Sequence, residues 1–266
     1  MEPWIVAIDM DGTLLTHSLT ISPEDSQAIC QAAENGIHPL VITGRCPDDA
    51  CSFLEKAGIG WVPVIALNGA CCRTKEAWSW DPVFFPEETQ QALCGILEEG
   101  WVEYSLFGDH RTAVINNRGA ASFWVTNWDA SPVGTDSGAL DSLLKEGVCK
   151  AAYIEYDQPE RLISIRQKTE KLPITVTSSG KNNLEFLPLQ VDKGLALQKV
   201  AERLGISMER TAAIGDSDND LAMLSAAGFA FAMGNGSEKV RRMAHHIVPS
   251  NQEAGVAAAL KFLQNL

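Results

Sequence analysis

Two acidic clusters near opposite ends of the chain hold the side chains best suited to chemistry. Asp9-Met10-Asp11-Gly12-Thr13 stands near the start, and Gly215-Asp216-Ser217-Asp218-Asn219-Asp220 near the end. Carboxylates gathered in one place repel each other unless a cation compensates them. An all-oxygen set of this kind suits Mg²⁺, which takes one or two carboxylates together with waters and the oxygens of a phosphate. Lys193 is a further positive charge within reach of such a site. A calcium loop is excluded, because the sixth and twelfth positions must be glycine and glutamate. They are Leu221 and Ala227 counting from Asp216, and Leu14 and Thr20 counting from Asp9.

The elements around these residues explain how they meet. Trp4–Ile8 is a continuous apolar run, the pattern of a strand buried on both faces, and Asp9 follows it directly. Thr43-Gly44-Arg45 follows a predicted strand at Ile37–Ile42, Asn68-Gly69 one at Pro63–Leu67, and Gly215 one at Thr211–Ile214. In a parallel sheet these carboxyl ends share one edge, where ligands bind. Ser22 and Pro23 predict the cap and first residue of a helix ending near Asn35-Gly36, and Pro47 opens a second helix to about Lys56. Lys193–Leu204 and Asp218–Ala226 read as helices, Phe229–Ala232 and His246–Val248 as strands, and Ser237–Met243 and the last dozen residues as helices.

Between them the rhythm changes. Residues 87–99 and 138–146 read as helices, and Val102–Phe107, Thr112–Asn116, Ala151–Tyr156, Leu162–Arg166, Ile174–Ser178 and Asn183–Pro188 as strands. The expected architecture is a doubly wound, parallel-sheet α/β core, residues 1–82 and 189–266, with an inserted α+β domain at 83–188. Residues Ser178–Asn183, just before the chain returns to the core, are expected to face the site. Trp78, Trp80, Trp124 and Trp128 are candidates to line the inserted domain.

The 266 residues are 45% hydrophobic and 21% charged, an ordinary globular profile. Lys and Arg number 21 against 34 Asp and Glu, a net charge of −13, which weighs against nucleic-acid or anionic-membrane partners. No apolar run is long enough to span a membrane, and the start lacks a signal-peptide pattern. Seven cysteines without a C-x-x-C pair read as reduced thiols of a cytoplasmic protein. His245-His246 has no metal-ligand partner at suitable spacing and reads as structural.

The ordered motifs resemble those of the haloacid dehalogenase-like hydrolases. They are Asp9-x-Asp11-Gly12-Thr13, Thr43-Gly44-Arg45, Asp192-Lys193-Gly194 and Gly215-Asp216-x-x-Asn219-Asp220. Met233-Gly234-Asn235-Gly236 and the insert resemble the Cof-type branch (subclass IIB), which carries a large cap on a Rossmann-like core. Ala254 departs from the pattern where many members carry aspartate, with no expected effect on chemistry.

The resemblance implies an Mg²⁺-dependent phosphatase acting on a phosphorylated small molecule, a sugar phosphate or phosphorylated cofactor. Asp9 would be the nucleophile and Asp11 the acid and base. Mg²⁺ would be held by Asp9, the Asp11 carbonyl and Asp216. The phosphate would be held by the amides around Met10, Thr43, Gly44, Lys193 and Asn219, with Asp220 behind the metal ligands. A phosphotransferase or phosphomutase on the same scaffold, or a regulator that binds phosphometabolites, are the alternatives.

Overall fold

The computed structural model describes residues 3–74, 78–100, 103–116, 133–134 and 137–265. The first strand, β1 (Trp4–Ile8), is flanked by β2 (Ile37–Ile42) and β11 (Thr211–Gly215), both parallel to it. Among the described residues seven strands make this sheet. Their order is β13 (His246–Val248), β12 (Phe229–Met233), β11, β1, β2, β3 (Val64–Ala66) and β4 (Cys71–Arg73).

Alternation along β1 builds two core layers, as the period of a strand requires. Val6 and Ile8 face α1 (Pro23–Glu34), α2 (Pro47–Lys56) and α9 (Gly255–Leu263), which supply Ile29, Phe53 and Leu260. Ile5 and Ala7 face α6 (Lys193–Leu204), α7 (Leu221–Ala226) and α8 (Glu238–Met243), which supply Leu197, Leu224 and Val240. The sheet is therefore doubly wound. Its one antiparallel strand, β4, was not expected from the sequence: a tight turn at Leu67–Gly69 sends the chain back along β3. Ser22 caps α1 with Pro23 in its first turn, as its sequence predicts.

A second sheet has the order β7 (Val133–Gly134), β6 (Thr112–Asn116), β5 (Glu103–Phe107), β8 (Lys150–Ile154), β10 (Asn183–Pro188) and β9 (Ile174–Thr177). Its neighbours are antiparallel except β6 and β7. One face packs on α3 (Glu87–Gly100), α4 (Ser137–Glu146) and α5 (Pro159–Thr169) through Leu93, Leu97, Leu143 and Ile165. From the other face Phe107, Cys149, Ala152 and Leu187 join the first sheet's apolar cluster.

Two expectations fail. Leu162–Arg166 is not a strand but the middle of α5, opened by Pro159; its buried positions, Ile165 and Thr169, lie one turn apart while Ile163 is exposed. Trp78 and Trp80 do not line the second layer. They pack beside α6, with Lys199 and Arg203 over the Trp80 ring. Trp124 and Trp128 lie outside the described residues. No helix among the described residues is long and apolar enough to cross a membrane.

Candidate active site

The sheet register brings the two acidic clusters together. Ile8 pairs with Ile214, and the Asp9 amide continues the ladder to the Ile214 carbonyl at 3.0 Å. The side chains of Asp9, Asp216 and Asp220 can then place one oxygen each within 4.8 Å of one another. Lys193, in the first turn of α6, reaches into this group. Its ammonium lies 2.5 Å from Asp9 Oδ1 and 2.7 Å from Asp220 Oδ1.

Three carboxylates share one ammonium here, largely out of water, and their ionisation shows the deficit. Burial, then the charge of Asp220, lifts the Asp9 carboxyl well above its ordinary value against the pull of Lys193. The same causes push Asp216 up to about 7. Burial pulls Lys193 down, but Asp220 and Asp9 outweigh it and hold the ammonium protonated. A hard divalent cation fits this oxygen set and would relieve the deficit.

The carboxylates differ in what remains free. Asp220 Oδ1 accepts from Lys193, and Oδ2 accepts from the amides of Asp216 and Ser217 at 2.9 and 3.0 Å. Asp216 Oδ1 accepts from the Thr13 hydroxyl at 3.2 Å. Asp9 Oδ2 makes no hydrogen bond among the described residues. Asp9 and Asp216 therefore retain lone pairs for a ligand, while Asp220 is engaged in holding the other groups. Gly12 is required by the same crowding: its φ is +77°, and a Cβ there would lie 2.4 Å from Asp216 Oδ2.

Asp11 lies on the open side, its side chain 53% exposed. Arg45 donates to both of its oxygens, Nε to Oδ2 at 2.8 Å and Nη2 to Oδ1 at 2.7 Å. Arg45 also donates to Asp49 at 2.5 Å and lies over the Phe53 ring. Thr43 and Gly44 follow β2 on the same edge, and the buried Thr43 hydroxyl accepts from the Arg45 amide at 3.1 Å. Met10 sends its side chain into the core, and its carbonyl accepts from the Thr13 and Leu15 amides. Asn219 accepts from Ser217 Oγ at 2.7 Å; Lys193 bonds to Asp9 and Asp220 rather than to it.

A family model described as haloacid dehalogenase-like hydrolase matches residues 6–260. The chain belongs to the haloacid dehalogenase-like hydrolases. Its likeness to curated relatives runs end to end. It is 31% identical to the phosphatase YwpJ of Bacillus subtilis (strain 168), covering 97% of this chain and 99% of that one. It is 29% identical to 5-amino-6-(5-phospho-D-ribitylamino)uracil phosphatase YcsE of the same organism, covering 97% and 94%. A solved haloacid dehalogenase-like hydrolase from B. subtilis superposes with a TM-score of 0.87 at 27% identity, over 97% of this chain and 99% of that one. This is a phosphatase-type hydrolase of the Cof branch.

Several contacts of this hydrolase escaped the sequence reading. Asn235 donates to the Gly12 carbonyl at 2.8 Å and accepts from the Asn251 amide, while Asn251 donates to the Leu15 carbonyl. The loop that carries Asp9 and Asp11 is thus tied from behind by two asparagines. Lys150 and Glu185, buried in the second sheet, bond to Gly44 and Asn68 of the first. Their signal in the sequence is a lone charge inside an apolar strand. Ser179, in the turn expected to face the site, donates to Glu185 Oε1 at 2.9 Å. That turn, with Ile154 and Tyr156, lines an open hollow of about 230 Å³. His245 accepts from the Ala230 amide and His246 stacks on Phe262, both structural contacts, and all seven cysteines are free thiols.

Proposed function

We propose that this hydrolase cleaves the phosphate monoester of a small metabolite, with Mg²⁺ bound, through an aspartyl-phosphate on Asp9. The observation that carries the reading is the Asp9 carboxylate at the carboxyl edge of β1, with Lys193 on one oxygen and the other free. Asp9 and Asp216 would hold Mg²⁺ together with the Asp11 carbonyl, and the metal would draw charge from the phosphoryl oxygens. Residues 1–82 and 189–266 form the catalytic core in this reading, and 83–188 the cap that selects the substrate.

The residues divide the work. Asp9 forms the new O–P bond as the ester P–O bond breaks. Lys193, the Gly44 amide and the Thr43 hydroxyl hold the phosphoryl oxygens, with the Met10 amide and Asn219 at the rim. Asp11 gives its proton to the departing oxygen, then takes one from the water whose oxygen attacks phosphorus and frees Asp9. The bidentate contact with Arg45 engages both Asp11 oxygens, so it must open before either step. A phosphate dianion entering beside Arg45 competes for the guanidinium and frees Asp11 for the first.

The named activity of YcsE supports a hydroxylated leaving group. The seven free thiols support a cytoplasmic setting. The decisive experiment screens phosphate release over sugar phosphates, ribityl phosphates and phosphorylated cofactors, with and without Mg²⁺. Release without any acceptor alcohol is expected. Transfer only when an acceptor is added would assign a phosphotransferase instead, and binding of an ester without turnover a regulator.

Metal binding has a predictable pH dependence. Between the ordinary carboxylate value and about 7, the folded protein keeps a proton on Asp216 that the unfolded chain has lost. This group's contribution to stability is therefore present at low pH and lost as pH rises from about 4 to about 7. Mg²⁺ replaces the proton, so the rise in Tm on adding Mg²⁺ should grow from pH 5 to about 7 and then level off. Melting curves at several pH values check this; an Mg²⁺ shift independent of pH would contradict it.

A further inference from the structure

Three successive carbonyls of the Thr43–Arg45 segment are each held by one donor. The Asn68 amide donates to Thr43 O at 2.8 Å, and the Leu67 amide to Arg45 O at 3.0 Å. The middle carbonyl, Gly44 O, accepts from Lys150 Nζ at 2.9 Å. The two amides come from the same sheet, whereas Lys150 comes from the second.

Each bond fixes a planar trans peptide, whose C=O and N–H point in opposite directions. With Thr43 O turned toward Asn68, the Gly44 N–H points the other way. With Gly44 O turned toward Lys150, the Arg45 N–H faces Thr43 Oγ1 and donates to it. The Thr43 oxygen is then an acceptor on that side, and its own proton is available to a ligand.

Lys150 is itself held in place, at 1% side-chain exposure. Glu185 Oε2 lies 3.1 Å from its ammonium and accepts from Asn68 Nδ2 at 2.6 Å. A carboxylate only accepts, so the Asn68 nitrogen must face Glu185. Its oxygen, buried and without a partner, turns toward Gly44. Asn68 Oδ1 and Lys150 Nζ would each lie 3.1 Å from a Cβ at position 44, so a side chain there would have to push both back by a few tenths of an ångström.

We propose that Lys150 is a positioning residue for the phosphate cradle: it orients the Gly44–Arg45 peptide so that Thr43 presents its proton to the phosphoryl group, and Glu185 and Asn68 hold it in that position. The cradle is complete only while the second sheet is docked on the first. Phosphate binding and cap docking must then favour each other, because coupling between two binding equilibria is reciprocal. This inference rests on the phosphatase reading.

The test uses inorganic phosphate with Mg²⁺, measured by calorimetry on the full chain, which needs no turnover. Lys150→Met alone strands Glu185 in the interior and risks misfolding, so the main variant is Lys150→Met with Glu185→Leu, which removes the buried pair together. Its phosphate Kd should rise about tenfold, the loss of one charged hydrogen bond's effect. Its kcat/KM should fall by a similar factor for every ester in the screen, whatever the leaving group. An unchanged phosphate Kd in the folded double variant overturns the inference and leaves the phosphatase reading standing. A loss of kcat/KM confined to some leaving groups also overturns it, making Lys150 a substrate contact. A wild-type protein that neither binds phosphate nor releases it from any ester overturns both.

Discussion

Asp9→Asn should abolish phosphate release, by a factor of at least about 10⁴ in kcat, while the protein stays folded. The substitution keeps the shape of the side chain and removes its charge. An amide oxygen cannot carry the phosphoryl group through the cycle, and Asp216, the other carboxylate with free lone pairs, serves the metal in this mechanism. Asp220 has both oxygens engaged, and Asp11 is turned toward Arg45. The effect on stability should run the other way. Burial and Asp220 already disfavour the charged form of Asp9, so removing that charge relieves repulsion at some loss of pairing with Lys193. A Tm equal to or above wild type, with no turnover, is the signature of a residue kept for chemistry rather than for the fold. Phosphate-release assays and melting curves on the same preparation test both halves; full activity in the variant would sink the mechanism.

What the sequence makes legible here is set by local chemistry. Asp9, Thr43, Asn68 and Asp216 each follow an apolar run, and a parallel sheet carries such ends to one edge. Ser22 with Pro23 marks a helix start because the cap bond and the fixed proline φ are properties of neighbouring residues. Long-range pairing is different. Nothing around Arg45 in the sequence distinguishes a salt-bridged loop residue from a substrate contact, and only the fold brings Asp11 and Asp49 to it. Lys150 and Glu185 meet because β8 and β10 pair with Glu185 opposite Ala152; a shift of one residue would turn Glu185 to the other face. Leu162-Ile163-Ser164-Ile165 looks like a strand because a short apolar run has no period of its own. The packing of α3 against α5 buries Ile165 and leaves Ile163 in water. β4 is too short, at Cys71–Arg73, to announce itself.

Lys193→Met should lower stability and activity together. A lysine in the first turn of α6 stands at the end of the helix where the macrodipole disfavours a cation. Methionine suits the helix as well and fills a similar volume, so local structure gives no reason for lysine at this position. The reason lies in Asp9 and Asp220, both within 2.7 Å of its ammonium. Without that ammonium three carboxylates face one another in a buried site, at a cost of about 3–5 kcal/mol when all are charged. Protonation relieves this, and so does Mg²⁺. The Tm deficit of the variant should therefore be small near pH 5, widen as pH rises through about 7, and narrow again on adding Mg²⁺. kcat/KM should fall by about 10³, since the phosphoryl oxygens lose a buried charged donor. Lys193→Arg should not restore it, because a fully buried ammonium in contact with both carboxylates leaves no space for the wider guanidinium. Melting curves across pH, with and without Mg²⁺, separate this from a solvated helix lysine, which would change neither Tm nor rate at any pH.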